Sequence, residues 1–176
     1  RAGFLNTSEL VVVQALALYV ALVRRYDNTR FSWTLTGLLI RIAQALGIHR
    51  EGTHFASLSP FDIEMRRRLW WAIVVLDVRA AEDQGTDLTI HGAWDTSFPI
   101  HINDVDITPE MKEFPPEREG AADLTFCLIR YEVVHLARKM HQATNPLSPC
   151  PKETALSLQE REDMLLELYD RVEERY

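Results

Sequence analysis

The sequence contains few cysteines and few glycines. Its two cysteines, Cys127 and Cys150, are not arranged as CxxC, so their spacing indicates neither a structural zinc site nor a disulfide framework. Its 7 glycines form neither a GxGxxG nor a GxxxxGKS/T motif, which excludes nucleotide binding by those routes. A GxSxG motif is also absent, so nothing in the sequence supports serine hydrolase chemistry.

Positive charge and long apolar runs are also scarce. The 19 Lys and Arg residues against 26 Asp and Glu residues give a formal net charge of −7, the wrong sign for a surface that binds phosphates. We therefore expect no direct contact of this chain with nucleic acid. The most apolar stretch, residues 10–23, is shorter than the ~20 residues that a membrane span requires, so we expect no membrane contact. Because the chain begins at Arg1, we expect it to be a piece of a longer protein.

Hydrophobic periodicity predicts an all-α fold, a multi-helix bundle-like domain with one long acidic connection. The first predicted helix is apolar on almost every side, as is typical of a helix surrounded by others. Between residues 82 and 123, eleven acidic residues stand against only Lys112 and Arg118, and helical periodicity is absent. The predicted helices cover about residues 10–26, 32–46, 59–83, 121–142 and 152–176.

The third predicted helix has no polar face between Leu69 and Leu76, which places it at the centre of the domain. Asp77 follows this apolar run, and a carboxylate there is costly unless it is paired or hydrogen-bonded. Arg41, set among apolar residues of the second helix, is its natural partner. We therefore predict a structural ion pair between Arg41 and Asp77.

Two patterns suggest a metal or nucleic-acid site, and neither is sufficient. Glu132 and His135 form an ExxH pair of the kind that holds metals in di-iron bundles, but the only companion pair, in residues 51–54, is interrupted by Gly52. We therefore predict no metal site and interpret His135 as a packed histidine. The consecutive arginines 66–68 fan around about 200° of a helix, so they cannot form one basic stripe.

Aromatic residues supply the candidates for ligand binding. Trp70 and Trp71 lie in the third helix, while Tyr131 and His135 lie on one stripe of the fourth. Aromatic side chains at helical spacing either line an apolar pocket or form core. We take these four residues as ligand-binding candidates and identify no catalytic residue.

Three segments resemble the fungal zinc-cluster transcription factors. Residues 37–51, GLLIRIAQALGIHRE, are similar to a family segment that ends in A..LGLHRD. Residues 61–71, FDIEMRRRLWW, followed by Leu76 and Asp77, resemble the family's E.RRRLWW helix. Residues 98–107, FPIHINDVDI, resemble its LP.N.ND.DL connection. The three motifs occur in the order that the family has.

The resemblance implies a helical regulatory region, the middle homology or fungal-specific transcription factor domain. In this family the region lies C-terminal to a binuclear zinc cluster with six cysteines, and it regulates activation in response to metabolites, drugs or partner proteins. This chain has too few cysteines for that cluster, so we expect DNA binding and zinc to belong to an absent part of the protein and no cofactor here. The resemblance further implies a nuclear protein that is a homodimer at full length.

We therefore predict that residues 1–176 are part of one helical regulatory domain, which senses a small-molecule effector or a regulatory protein and is not an enzyme. Two alternatives remain open. One is a helical pocket recruited for chemistry on a small apolar metabolite, with Asp77, His135 or His101 as acid or base. The other is a scaffold that only dimerises or docks other proteins.

Overall fold

The computed structural model describes residues 7–26, 30–91, 93–144 and 156–176. Within these ranges the chain forms five α-helices and no β-strand, which confirms the all-α prediction. Single turns of 3-10 helix lie at Gly52–His54 and Asp104–Asp106. Cys150 and the predicted start of the last helix at residue 152 lie outside the described residues. The helices are α1 (Leu10–Tyr26), α2 (Arg30–Ala45), α3 (Pro60–Gln84), α4 (Thr125–Thr144) and α5 (Leu158–Arg175).

Local sequence signals fix both ends of α3. Ser59 caps its N-terminus in a capping box with Asp62, in which each side chain accepts a hydrogen bond from the other residue's backbone N–H. Pro60 occupies the first turn, where a missing N–H costs nothing. At the other end Gly85 adopts a left-handed conformation with a φ of 63° and donates to the carbonyl of Ala81. The helix is therefore delimited by its own sequence.

The described residues divide into two compact units, and the first contains α1, α2 and α3. In this unit α2 packs against both α1 and α3, and α1 also contacts α3. The middle of α3 is buried all round, as its sequence predicts. By contrast α1 buries only one side, through Val13, Leu16, Ala17 and Val20, so the prediction that other helices surround it is wrong for the described residues.

The second unit contains α4, α5 and residues 101–106 and 116–124. His101 is buried near the start of α4, where its Nδ1 lies 2.9 Å from the carbonyl of Arg118 and its Nε2 lies 2.7 Å from the hydroxyl of Thr125. That hydroxyl also accepts a hydrogen bond from the N–H of Ala122. The chain before α4 is therefore tied to the first residue of the helix. A capping box at Ser157 and Glu160 begins α5.

The connection between α3 and α4 is long, as the acidic segment predicts, and parts of it belong to each of the two units. Whether the whole chain is part of one regulatory domain stays a prediction. None of the described helices is long and apolar enough to span a membrane.

Candidate functional site

The most distinctive feature of the first unit is a buried ion pair between Glu51, which follows α2, and Arg67 of α3. The Arg67 NH2 group lies 2.6 Å from Glu51 Oε1, and its Nε donates to both carboxylate oxygens at 3.1 and 3.2 Å. The N–H of Ser97 donates to Glu51 Oε2 at 2.8 Å. We call Glu51, Arg67 and Ser97 the buried clasp, because they join the loop after α2, the first half of α3 and the connecting segment between α3 and α4.

The clasp holds Glu51 in its charged form. Burial alone would raise the pKa of this carboxyl, but the hydrogen bonds from Arg67 and Ser97 outweigh burial and lower the pKa to about 2. Glu51 and Arg67 are only 6% and 8% exposed, so each charge depends on the other for compensation.

One turn earlier on α3, Glu64 forms a second polar link to the connecting segment. Its carboxylate accepts hydrogen bonds from Arg68 Nε at 2.9 Å and from the N–H of Ile100 at 3.3 Å. Complete burial raises the pKa of Glu64, and the hydrogen bonds from Arg68 and Ile100 only partly oppose this effect.

Trp94 and Phe98 pack against Trp70 and Trp71 of α3, and we call these four rings the aromatic cluster. Trp71 donates its indole N–H to the carbonyl of Ser97 at 2.9 Å, and the ring of Phe98 stacks on Trp71 with centroids 4.2 Å apart. Trp94 makes edge contacts with Trp70 and Trp71, at 5.8 and 5.1 Å between centroids. Trp70 and Trp71 are buried, whereas Trp94 and Phe98 are only half-buried. Residues 94–98 therefore form the side of the cluster that faces solvent.

Two nitrogen atoms of this cluster have no hydrogen-bond partner within the described part of the chain. They are Nε1 of Trp70 and Nδ1 of His49, both buried, and the two rings contact each other with centroids 5.9 Å apart. Burial, aided by the neighbouring charge of Arg50, lowers the pKa of His49, so its imidazole is neutral near pH 7. A neutral imidazole and an indole N–H can together bind a group that both donates and accepts a hydrogen bond.

The four ligand-binding candidates divide between the two units. Trp70 and Trp71 lie in the aromatic cluster of the first unit, whereas Tyr131 and His135 lie on α4 in the second. Tyr131 is buried and His135 is half-buried. Burial and the nearby cations lower the pKa of His135. A ligand-binding role for these residues stays a prediction.

The predicted ion pair between Arg41 and Asp77 is wrong. Arg41 is exposed on α2, whereas Asp77 is 1% exposed and its two carboxylate oxygens accept the N–H groups of Thr89 and Ile90, each at 2.9 Å. The chain turns back after Gly85, so backbone amides reach the carboxylate and supply the hydrogen bonds that its burial requires.

The consecutive arginines of α3 have three different partners. Arg66 donates to the carbonyl of Leu46, Arg67 binds Glu51 and Arg68 binds Glu64. This agrees with the prediction that they cannot form one basic stripe. Neither glutamate was predicted as a partner of these arginines, although each lies in a segment that resembles the family.

Two of the three acid and base candidates of the chemical alternative, Asp77 and His101, are held by hydrogen bonds within the fold. Asp77 binds backbone amides, and both ring nitrogens of His101 are engaged. The carboxylate of Glu132, in the ExxH pair, lies 3.2 Å from the hydroxyl of Tyr176 and 3.4 Å from Arg171 NH1. Within the described residues, no group of three or more His, Cys, Asp and Glu side chains is placed to hold a metal ion.

Comparison with known proteins identifies the family. Residues 3–174 match the profile described as fungal specific transcription factor domain. The pyriculol/pyriculariol biosynthesis cluster transcription factor 1 of Pyricularia oryzae is 40% identical over 134 residues, which is 76% of this chain and 18% of that protein. The aurofusarin cluster transcription factor aurR2 of Gibberella zeae is 36% identical over 137 residues, 76% of this chain and 20% of that protein.

A third relative, the C6 finger domain transcription factor nscR of Aspergillus fumigatus, is 37% identical over 147 residues, 82% of this chain and 18% of that protein. The chain thus spans about a fifth of the length of these relatives. No solved structure gave a significant match. All three relatives are named as transcription factors, which supports the prediction of a regulator that is not an enzyme. The chain belongs to the fungal specific transcription factor domain family, as the resemblance of its three motifs predicts.

Proposed function

We propose that this domain is the effector-sensing part of a zinc-cluster transcription factor that acts in the nucleus. Its family and its relatives support a role in transcription, and two of those relatives are named for biosynthetic gene clusters. The genes of a biosynthetic cluster are therefore the proposed targets. DNA recognition and zinc belong to a separate part of the protein, because this chain has only two cysteines and a net charge of −7.

The observation that carries the effector-sensing role is the contact between His49 and Trp70. Each ring brings a buried nitrogen without a partner into the aromatic cluster, and an unsatisfied buried polar atom costs about 1–3 kcal/mol. A planar effector with a hydroxyl group, which both donates and accepts, offers a stacking surface and the missing hydrogen bonds. The half-buried Trp94 and Phe98 form the side by which it reaches them.

The clasp gives such an effector a way to act on the rest of the protein. The connecting segment both covers the aromatic cluster and binds Glu51 through the N–H of Ser97. An effector that enters beside Trp70 displaces residues 94–98, so it binds one arrangement of this segment better than the other. That differential affinity is what shifts a population between two states.

Binding is tested with the full-length protein and a panel of small oxygenated aromatic compounds, by thermal stability and by tryptophan emission. A compound at 100 times its Kd should stabilise the folded protein by about 2.7 kcal/mol. Trp70→Phe keeps an aromatic ring but removes the N–H, so the compound should stabilise this variant less than the unmodified protein. Trp33→Phe, at an exposed position, is the matched control and should leave the stabilisation unchanged. If no compound stabilises the protein, or if both variants respond alike, the proposed site is wrong.

A further inference from the structure

A short stretch of the connecting segment, residues 107–115, belongs to the first unit, although the residues on both sides of it belong to the second. None of these residues is buried, and only Ile107, Met111 and Pro115 are half-buried. Segments with few buried contacts open locally at a small cost in free energy, while the rest of the fold stays intact. We call residues 107–115 the strap.

The two ends of the strap are joined at its base. Asp106 directly precedes the strap, and its carboxylate accepts hydrogen bonds from Nε and NH2 of Arg118, the second at 2.6 Å. The N–H of Arg118 also donates to the carbonyl of His101 at 2.8 Å. A compact surface loop whose ends lie close together in this way is an Ω-loop. The pair of Asp106 and Arg118 therefore keeps the ends of the strap in place when the strap itself moves.

One ring contact connects the strap to α3. The guanidinium carbon of Arg67 lies over the ring of Phe114, 5.2 Å from the ring centroid. Within the described part of the chain, no hydrogen bond or ion pair links residues 107–115 to other residues of the first unit. The strap has one hydrogen bond of its own, from the N–H of Met111 to the carbonyl of Thr108. Phe114 is therefore the residue that holds the strap closed.

The ring of Phe114 covers part of the buried clasp. Nε and NH2 of Arg67 bind Glu51, while the ring lies against a face of the same guanidinium. When the ring leaves, water reaches this face and raises the local dielectric constant. The attraction between Arg67 and Glu51 then weakens. Since Glu51 also accepts the N–H of Ser97, its hold on the connecting segment depends on how firmly Arg67 fixes it.

We propose that the strap opens and closes about the pair of Asp106 and Arg118, with Phe114 as its latch, and that opening loosens the hold of the clasp on residues 94–98. Phe114 is thus a positioning residue that acts through Arg67 and Glu51. A regulatory role of the strap in effector binding rests on the proposed function, because residues 94–98 also cover the proposed effector site. The opening itself is measured without an effector.

Limited proteolysis of the full-length protein tests the opening. Lys112 is exposed in the strap, and trypsin cleaves after it only when the surrounding residues unfold locally, so the cleavage rate follows the open population. Phe114→Ala removes the ring contact and should accelerate cleavage after Lys112 by about 2- to 30-fold, the range that corresponds to one cation–π contact. Phe114→Tyr keeps a ring over Arg67 and should restore the rate of the unmodified protein. Phe126→Ala, at a 74% exposed phenylalanine of α4, is the matched control and should leave the rate unchanged.

Hydrogen exchange of the same variants, read by mass spectrometry, tests the effect on the clasp. The N–H groups of Asp95 and Ser97 are hydrogen-bonded to His49 and Glu51, so their exchange reports how firmly residues 94–98 are held. In Phe114→Ala the exchange of these two amides should be faster, whereas exchange of residues 69–76 in the middle of α3 should be unchanged.

Three results would overturn the proposal. If trypsin cleaves Phe114→Ala after Lys112 no faster than the unmodified protein, Phe114 is not the latch. If exchange of residues 69–76 rises as much as that of residues 94–98, the strap is part of the cooperative fold and does not open by itself. If cleavage accelerates while exchange of residues 94–98 stays the same, the strap does not act on the clasp. A compound panel without any effect would instead refute the proposed function and leave these results unchanged.

Discussion

Replacing Glu51 by glutamine removes the charge that compensates Arg67 inside the first unit. The two groups are 2.6 Å apart and nearly inaccessible to solvent, so the variant leaves a buried guanidinium without a counter-charge. Breaking a buried pair in this way costs about 3–5 kcal/mol. For a chain of this length each kcal/mol corresponds to about 2–4 °C in Tm, so the expected loss is on the order of 10 °C. The N–H of Ser97 also loses a charged acceptor.

Urea unfolding, followed by tryptophan emission and circular dichroism, measures this effect in a double-mutant cycle with Arg67→Met. Removing both charges leaves no uncompensated ion, so the double variant should be more stable than the sum of the single effects predicts, by about 1 kcal/mol or more. Glu162→Gln, at an exposed position of α5, is the control for the loss of one acidic group. Its free energy of unfolding should lie within about 0.5 kcal/mol of that of the unmodified protein. Additive single effects, or a Glu51→Gln variant as stable as the control, would refute the role assigned to the clasp.

Three further predictions concern pH and local packing in the first unit. Because folding lowers the pKa of Glu51 to about 2, its charge stabilises the fold at pH values above the ordinary pKa of 4.5. This contribution should disappear as the pH falls from 4.5 toward 2. Between these pH values the free energy of unfolding should therefore change less with pH in Glu51→Gln than in the unmodified protein. Gly52→Ala should destabilise the fold by about 1–3 kcal/mol, because the added Cβ would lie 2.9 Å from a buried isoleucine of α3. Gly37→Ala on α2 has open space around the added Cβ, so it should stabilise the fold by about 0.5–1 kcal/mol in the same unfolding assay. Asp77→Asn should lower the free energy of unfolding by about 1–3 kcal/mol, because the new amide group turns a donor toward a backbone N–H. Arg41→Met should change it by less than about 0.5 kcal/mol. Equal losses in the two variants would contradict the assigned contacts.

The helices could be predicted because their signals are local. Helix α1 was predicted at residues 10–26, as in the structure, and the capping Ser59 with Pro60 in the first turn predicted the start of α3. The start of α4 was predicted four residues early, because the sequence of residues 121–124 is compatible with a helix. In the structure the hydroxyl of Thr125 instead accepts the N–H of Ala122 in a turn before the helix. Helix termini depend on such contacts more than on periodicity.

Partners of buried charges could not be predicted in the same way. The apolar run before Asp77 showed that this carboxylate needs compensation, but its oxygens accept backbone N–H groups, which all residues except proline possess and no sequence pattern marks. Glu51 and Arg67 are separated by a loop and a helix start, so only the fold shows that they meet. For Asp77 the sequence indicated the energetic requirement and the tertiary structure determined how it is met, whereas for Glu51 and Arg67 the tertiary structure shows both.

The first two segments that show the family resemblance and the start of the third, residues 98–100, meet within the first unit. The first ends in Glu51, the second supplies Arg67 and Trp71, and the third begins at Phe98, which stacks on Trp71. Most polar atoms of this region are explained by the fold, because they hold the connecting segment against α3. Trp70 is different: a phenylalanine would fill core space without bringing an unpartnered N–H into it. The fold therefore explains its ring but not its nitrogen, and for this reason we place the effector's polar group there.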